Sequence, residues 1–133
     1  MKTKKKIGFL VVVLLLFVVN SCRHIAIIDS SVEIVSRGID IALNDSALIY
    51  GSVIAAGTEN MPEPGASIWI EGADIKTTSD VWGHYSLQIL PGTYNIKCLG
   101  LYSDERFTAV LDNISLLPNE KIEIRFYLGC IVE

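Results

Sequence analysis

An all-β fold is predicted for most of this chain, and three observations predict it. Turn-forming residues recur at short intervals from residue 48 onward: Gly57, Pro62 to Gly65, Gly72, Asp80 to Gly83, Pro91-Gly92, Gly100, Asp112-Asn113 and Pro118-Asn119. Between them, apolar and polar residues alternate with period two, the signature of strands with one face buried. No window repeats apolar residues at helical spacing. Short strands evenly punctuated by turns build sandwiches or barrels.

Each strand can be placed by its alternation. Ile49, Gly51, Val53 and Ala55 share one face, and Ala66, Ile68 and Ile70 form a second inward row. Tyr85, Leu87 and Ile89 form a third; Tyr94, Ile96 and Cys98 a fourth. The last is the clearest: Ile122, Ile124, Phe126, Leu128 and Cys130 alternate with Glu123, Arg125, Tyr127 and Gly129. Burying a large apolar side chain contributes about 1.5–3 kcal/mol, so five such rows offset much of the entropy lost on ordering the chain. Residues 23–45 mix short aliphatic clusters with polar residues. There Ile39, Ile41 and Leu43 alternate with Asp40 and Ala42 as one strand would, so residues 22–47 read as a tether ending in a single strand.

The amino-terminal segment has a different logic. Lys2, Lys4, Lys5 and Lys6 precede an apolar run of 13 residues, 7–19, followed by Asn20, Ser21 and Cys22. Basic, apolar and small-residue regions in that order make an export signal. The run is shorter than the roughly 20 residues needed to cross a hydrocarbon core. "VVNSC", with Val19 three places before Cys22 and Ser21 immediately before it, resembles the lipobox of bacterial lipoproteins. That resemblance implies a signal peptide over residues 1–21, diacylglyceryl on the Cys22 thiol, and acylation of the new amino terminus. Ordinary secretion and an uncleaved anchor are the competing outcomes. Several acyl chains, at about 0.8 kcal/mol per buried methylene, make anchorage stable where one is marginal.

Loss of residues 1–21 removes four of the eleven Lys and Arg and none of the fifteen Asp and Glu, leaving 112 residues with seven cations against fifteen anions. That length suits one domain. Acidic balance without a basic cluster argues against nucleic acid, whose phosphates are bound by concentrated Lys and Arg.

The richest stretch chemically is "TTSDVWGHYSLQILPGTYNIK", residues 77–97. Its Asp, Trp, His and two Tyr could build a pocket, yet they are spaced like two turns between strands. Asp80 can bond the backbone two residues on, and Gly83 accepts positive φ at no steric cost. Pro91 presets φ, with Gly92 expected at the left-handed position. Tyr85 and Tyr94 then belong to the core, while His84 points outward with Ser86 and Gln88.

Residues 48–128 as a whole resemble the carboxypeptidase regulatory-like domain, a transthyretin-like sandwich. The carriers are Gly51-x-Val53, Pro64-Gly65-Ala66 leading into a strand that ends at Gly72, and Thr78-x-Asp80-x-x-Gly83-x-Tyr85. Leu90-Pro91-x-Thr93-Tyr94, Gly100 and the closing alternating strand complete the set. The resemblance implies a seven-stranded, Ig-like, Greek-key sandwich over residues 48–133. Such domains are usually non-catalytic, found beside enzymes, before outer-membrane transporter barrels, or in small envelope proteins. Trp82 departs from the family, which places a small or polar residue at that point of the turn.

Catalytic constellations are scarce. After the leader only His24 and His84 remain, and His24 lies beside the anchor. Neither closely spaced metal ligands, a Gly-x-Ser-x-Gly elbow, nor a phosphate-binding glycine loop occurs, so no cofactor or metal is expected. Transthyretin-like folds include a 5-hydroxyisourate hydrolase, whose chains close on Tyr-Arg-Gly-Ser; here the tail is Tyr127-Leu128-Gly129-Cys130. Cys98 and Cys130 both fall on inward rows, and an oxidising compartment permits their pairing, with two separate core thiols as the alternative. Trp69 should face outward between Ile68 and Ile70, and Trp82 should stand at a turn tip. Exposed there, with His84 nearby, they could meet a glycan or an envelope protein, unless a neighbouring loop or residues 23–47 cover them. The expectation is a lipid-anchored, non-catalytic binding or assembly module, with a small-molecule hydrolase or a structural spacer as alternatives. With Arg at 23 and no acidic run after Cys22, the outer membrane is the favoured location.

Overall fold

The computed structural model describes residues 25–132. The expected signal peptide over residues 1–21 and the expected lipidation site Cys22 lie outside the described residues. Eleven strands are present among those described: β1 (Ala26–Ile28), β2 (Ser31–Ile39), β3 (Ala47–Ala55), β4 (Met61–Pro62), β5 (Ser67–Ile70), β6 (Lys76–Thr78), β7 (His84–Ile89), β8 (Gly92–Leu99), β9 (Ala109–Leu116), β10 (Glu120–Leu128) and β11 (Cys130–Val132). The only helical pieces described are single 3₁₀ turns at Ile41–Leu43 and Glu105–Phe107. Ile28–Cys130 form one compact unit, while residues 25–27 and 131–132 belong to a second.

Nine strands make the two sheets of the large unit. In the first, β10 lies between β2 and β3, and the far edge of β3 is shared by β7 and β4. β10 runs parallel to β3, pairing Ile122 with Ile49 and Phe126 with Val53, and antiparallel to β2. β7 covers Ala47 to Ser52 of β3, and β4 takes over at Ile54 and Ala55. The second sheet, β6-β5-β8-β9, is antiparallel throughout. One core joins both sheets: Ile49 and Val53 from β3, Tyr85, Leu87 and Ile89 from β7, and Ile122, Ile124, Phe126 and Leu128 from β10 meet Ile68, Ile70, Ile96, Cys98, Ile114 and Leu116. The period-two reading is observed directly, since β7 alternates exposed and buried residues along its whole length, as β10 alternates half-buried and buried ones.

Several expectations are corrected. The expected strand around Ile39 and Leu43 ends at Ile39; Ile41–Leu43 form a 3₁₀ turn, with Asp40 accepting from the Ala42 N–H and Asn44 left-handed at φ 52°. The strand in that region is Ser31–Ile39, and it is no tether, because it pairs with β10 from Tyr127 to Glu120. Its alternation was hidden by a bulge: the register shifts between Glu123 and Ile124, leaving Val35 without an opposite residue. A bulge near Asn113, at φ 55°, likewise divides the inward row of β9 into Ala109 and the later Ile114 and Leu116. Together with the short β4 and β6, these strands bring the sandwich to nine rather than seven. Gly92 does not take the left-handed turn position; it opens β8 at φ 157°, close to extended. Tyr94 is half-buried, its hydroxyl donating to the Leu90 carbonyl at 2.7 Å.

Candidate functional site

The Asp80 turn is built largely from its own polar groups. Asp80 Oδ1 accepts from the backbone N–H of Trp82 and of His84, each at 2.9 Å, while the Asp80 N–H donates to the His84 carbonyl. Gly83 sits at φ 77°, and a Cβ there would lie 2.6 Å from the Val53 carbonyl oxygen. Only glycine fits both demands. Val53 N–H in turn donates to the Gly83 carbonyl, locking the turn onto β3.

Neighbouring loops gather around this turn. Buried Ser79 donates from Oγ to the Glu63 carbonyl at 2.6 Å and accepts from the Ala66 N–H at 2.8 Å, joining the loop before β5 to the loop before β7. A Cβ at Gly65 would touch Leu101, and one at Gly100 would approach Glu63 Oε1, so the loop after β8 closes on the same end. Met61, Val81, Trp82, Leu101 and Tyr102, all exposed, are carried on these segments; Trp82 is 69% and Tyr102 96% exposed. Trp82 is therefore held outward on a rigid turn, as its place at the turn tip predicts. Met61, Leu101 and Tyr102 were not singled out in the sequence, because their shared location follows from contacts between loops far apart in the chain.

A polar hollow of about 680 Å³ lies beside the turn, lined in part by Tyr50, Ser52, His84, Ser86, Glu123 and Arg125. Asp80, Thr77 and Thr78 line it as well. The parallel register of β3 and β10 brings these outward residues together, and single-strand alternation carries no trace of it. Arg125 Nη1 reaches Tyr127 Oη at 3.5 Å, and Tyr127 donates to Glu33 Oε2 at 3.0 Å. Lys121 Nζ stands 5.0 Å from the centre of the Tyr50 ring, a cation–π contact. His84 is exposed and its imidazole makes no hydrogen bond among the described residues. Thus His84 and Asp80 line the same hollow, yet the Asp80 carboxylate oxygen Oδ1 is occupied by backbone N–H groups, one of them that of His84 itself.

Trp69 faces outward on the other sheet, half-buried, with Lys76 and Lys97 as its cross-strand neighbours. A hollow of about 390 Å³ beside it is lined by Ser67, Trp69, Lys76, Leu99, Leu101 and Ser103, with Gly100. Leu101 thus belongs to this hollow and to the loop end that carries Trp82. Lys97 is tied to Glu71 at 3.0 Å, which holds the Glu71 carboxyl below its ordinary range.

The cysteines do not pair. Cys98 is a free, fully buried thiol, and burial pushes its pKa up to about 12, with the Glu63 carboxylate adding a smaller push. Cys130 is half-buried, its Sγ 3.7 Å from the Ala56 carbonyl oxygen. The inward row that placed Cys130 with Phe126 and Leu128 breaks at Gly129, where β10 has ended. No cluster of three or more metal-ligating side chains occurs among the described residues. No helix among them is long and apolar enough to cross a membrane.

No family model and no curated protein matches the chain. Among solved structures it is similar to chains in two complexes from Acetivibrio cellulolyticus, an N-terminal and a C-terminal interface mutant of a type II cohesin–X–dockerin assembly. Identity is 16% and 15%, the TM-score is 0.48 for both, and the match covers 62% of this chain. This chain spans 58% of the length of those chains.

Proposed function

We propose that this chain is a lipid-anchored, non-catalytic envelope protein whose sandwich is a binding or assembly module of the carboxypeptidase regulatory-like, transthyretin-like type. The observation that carries the binding role is Trp82: a large aromatic, 69% exposed, presented by a turn that the Asp80 carboxylate and Gly83 fix in place. Aromatics held rigidly in solvent contribute contact area at little cost in entropy. Support for the family comes from the structural work of its motif residues: Asp80 and Gly83 make the turn, and Tyr85 and Gly51 join β7, β3 and β10. The anchor rests on the basic leader, its short apolar run and Val19 to Cys22, and the outer membrane on Arg23 and the lack of an acidic run after Cys22.

The test is crosslinking in the native envelope followed by copurification. A specific protein or glycan partner recovered with the native chain and lost with Trp82→Ala supports the module, and identical recovery from both chains rejects Trp82 as its contact. One observation favours a hydrolase instead, the placing of His84, Tyr50 and Arg125 around one hollow. Turnover of a substrate panel that disappears in His84→Ala would establish that reading.

A further inference from the structure

We propose that the β1–β11 ribbon is a membrane-contacting element, seated at the boundary between headgroups and acyl chains of the bilayer that holds the Cys22 lipid; this rests on the anchor proposed above. The ribbon pairs Ala26–Ile28 with Cys130–Val132, and neither strand carries a charged residue. Instead, Ile25, Ile27, Ile131 and Val132 are exposed, at 59%, 51%, 48% and 41%. Three β-branched aliphatics on so short a ribbon, with Ile25 directly before it, are a poor solution for an element facing only water, since each leaves apolar area that burial would stabilise.

Chain length names what covers them. Ile25 stands three positions after Cys22, and a three-residue step spans at most about 10 Å. If the Cys22 thiol carries diacylglycerol, Ile25 lies within that distance of the glycerol backbone, at the depth where interfacial elements bury their apolar side chains. The two residues between, Arg23 and His24, suit the anionic and zwitterionic headgroups they would adjoin. Ile28 is not part of this surface: it is half-buried, and its Cδ1 lies 2.5 Å from where a Cβ at Gly57 would stand. Ile27 stands on the opposite face of β1, and Ile25 directly precedes the strand. The lipid and the ribbon would thus act as two signals at one place, the lipid giving affinity and the ribbon fixing how the chain meets the surface.

The test uses the full lipidated chain in vesicles of phosphatidylethanolamine and phosphatidylglycerol. Trp69→Phe and Trp82→Phe clear the background, and Ile131→Trp or, separately, Ile27→Trp supplies one reporter on each strand. Acyl chains brominated near the headgroup should quench either reporter, with a blue-shifted emission and little quenching by aqueous iodide. A chain retaining Trp82 alone should show the reverse. Mass spectrometry of the amino-terminal peptide reads lipidation separately. Lipid present with both reporters open to iodide overturns the ribbon contact and leaves the anchor standing. Reporters shielded from iodide and from brominated lipid alike also overturn it, placing a protein surface there instead. An unmodified Cys22 overturns the anchor, and the ribbon inference falls with it.

Discussion

The phenol of Tyr85 reaches across β3 to donate a 2.6 Å hydrogen bond to the carbonyl oxygen of Ile124 on β10. Gly51, opposite Tyr85 on one side and Ile124 on the other, lies between them, and any Cβ there would collide with the same oxygen. The ring also packs against Phe126 at 5.7 Å. Tyr85→Phe keeps the packing and leaves a buried carbonyl without this donor, so it should cost about 1–2 kcal/mol. Gly51→Ala should cost more, about 2–4 kcal/mol, because backbone must shift to admit the methyl. Urea titration checks both: midpoints should fall in that order with the slope unchanged for Tyr85→Phe.

Cys98 and Cys130 should differ in reactivity. The thiolate is the reactive form, and burial holds Cys98 protonated to about pH 12. At pH 8 iodoacetamide should modify Cys130 alone, with Cys98 following only in denaturant. The same shift sets an alkaline limb. The folded value exceeds the ordinary 9.0, so the stability is complete below pH 9 and drains away as pH rises toward 12. Tyr85, raised chiefly by burial, acts in the same direction above its ordinary 10.0. Thermal midpoints should therefore fall from pH 9 upward, and less steeply in Cys98→Ala.

Arg37, held by Glu120, ties the edges of the two sheets together. The Glu120 carboxylate accepts from Arg37 at 2.9 and 3.3 Å and from the Leu117 N–H, while Arg37 also donates to the Ser115 carbonyl on β9. The Arg37 hydrogen bond, opposed by burial, holds the Glu120 carboxyl below its ordinary 4.5. With the folded value depressed, this contribution is present above pH 4.5 and lost as pH falls below it. Arg37 is partly open to solvent, so the effect should stay below about 1 kcal/mol. Glu120→Gln should flatten that part of the acid limb in denaturant midpoints measured from pH 6 to pH 3.

Gly83→Ala tests the turn that presents Trp82. The new methyl meets the Val53 carbonyl oxygen at 2.6 Å in a backbone conformation that disfavours L residues, so a loss of about 2–3 kcal/mol is expected. Trp82→Ala, removing an exposed side chain, should move stability by less than about 0.5 kcal/mol. Thermal unfolding separates the two, and it qualifies Trp82→Ala as a clean probe of binding.

What the sequence made legible followed local rules. The rows of β5, β7 and β10, the Asp80 turn and the outward Trp69 and Trp82 each depend on period two or on turn chemistry within a few residues. What it concealed depends on distance along the chain. The bulge at Val35 shifts the face of every later residue in β2, so Glu33 reaches Tyr127 on one side while Arg37 reaches Glu120 and Ser115 on the other. The polar hollow depends on β3 lying parallel to β10, although more than 60 residues separate them. Cys98 and Cys130 shared an inferred face, but Gly129 ends the row before Cys130.

The same contrast gives a decisive truncation. By local pattern the sandwich starts at residue 48, and a chain beginning there retains every row recognisable in the sequence. By structure it would lose β2, so β10 would become an edge strand with its backbone from Glu120 to Tyr127 unpaired on one side. It would also lose Ala47, fully buried opposite Ile89, and Val32, which packs against the core. Arg37 would go too, and with it the hydrogen bonds that join Glu120 to the Ser115 carbonyl of β9. A central strand stripped of its partner on one side is among the costlier defects a small domain can carry. Chains beginning at residue 25 and at residue 48 should therefore diverge sharply. The longer should unfold cooperatively in urea, whereas the shorter should aggregate or lose its transition. Equal midpoints for the two would mean that β2 adds nothing to the sandwich, and that the boundary drawn from local alternation was the physical one.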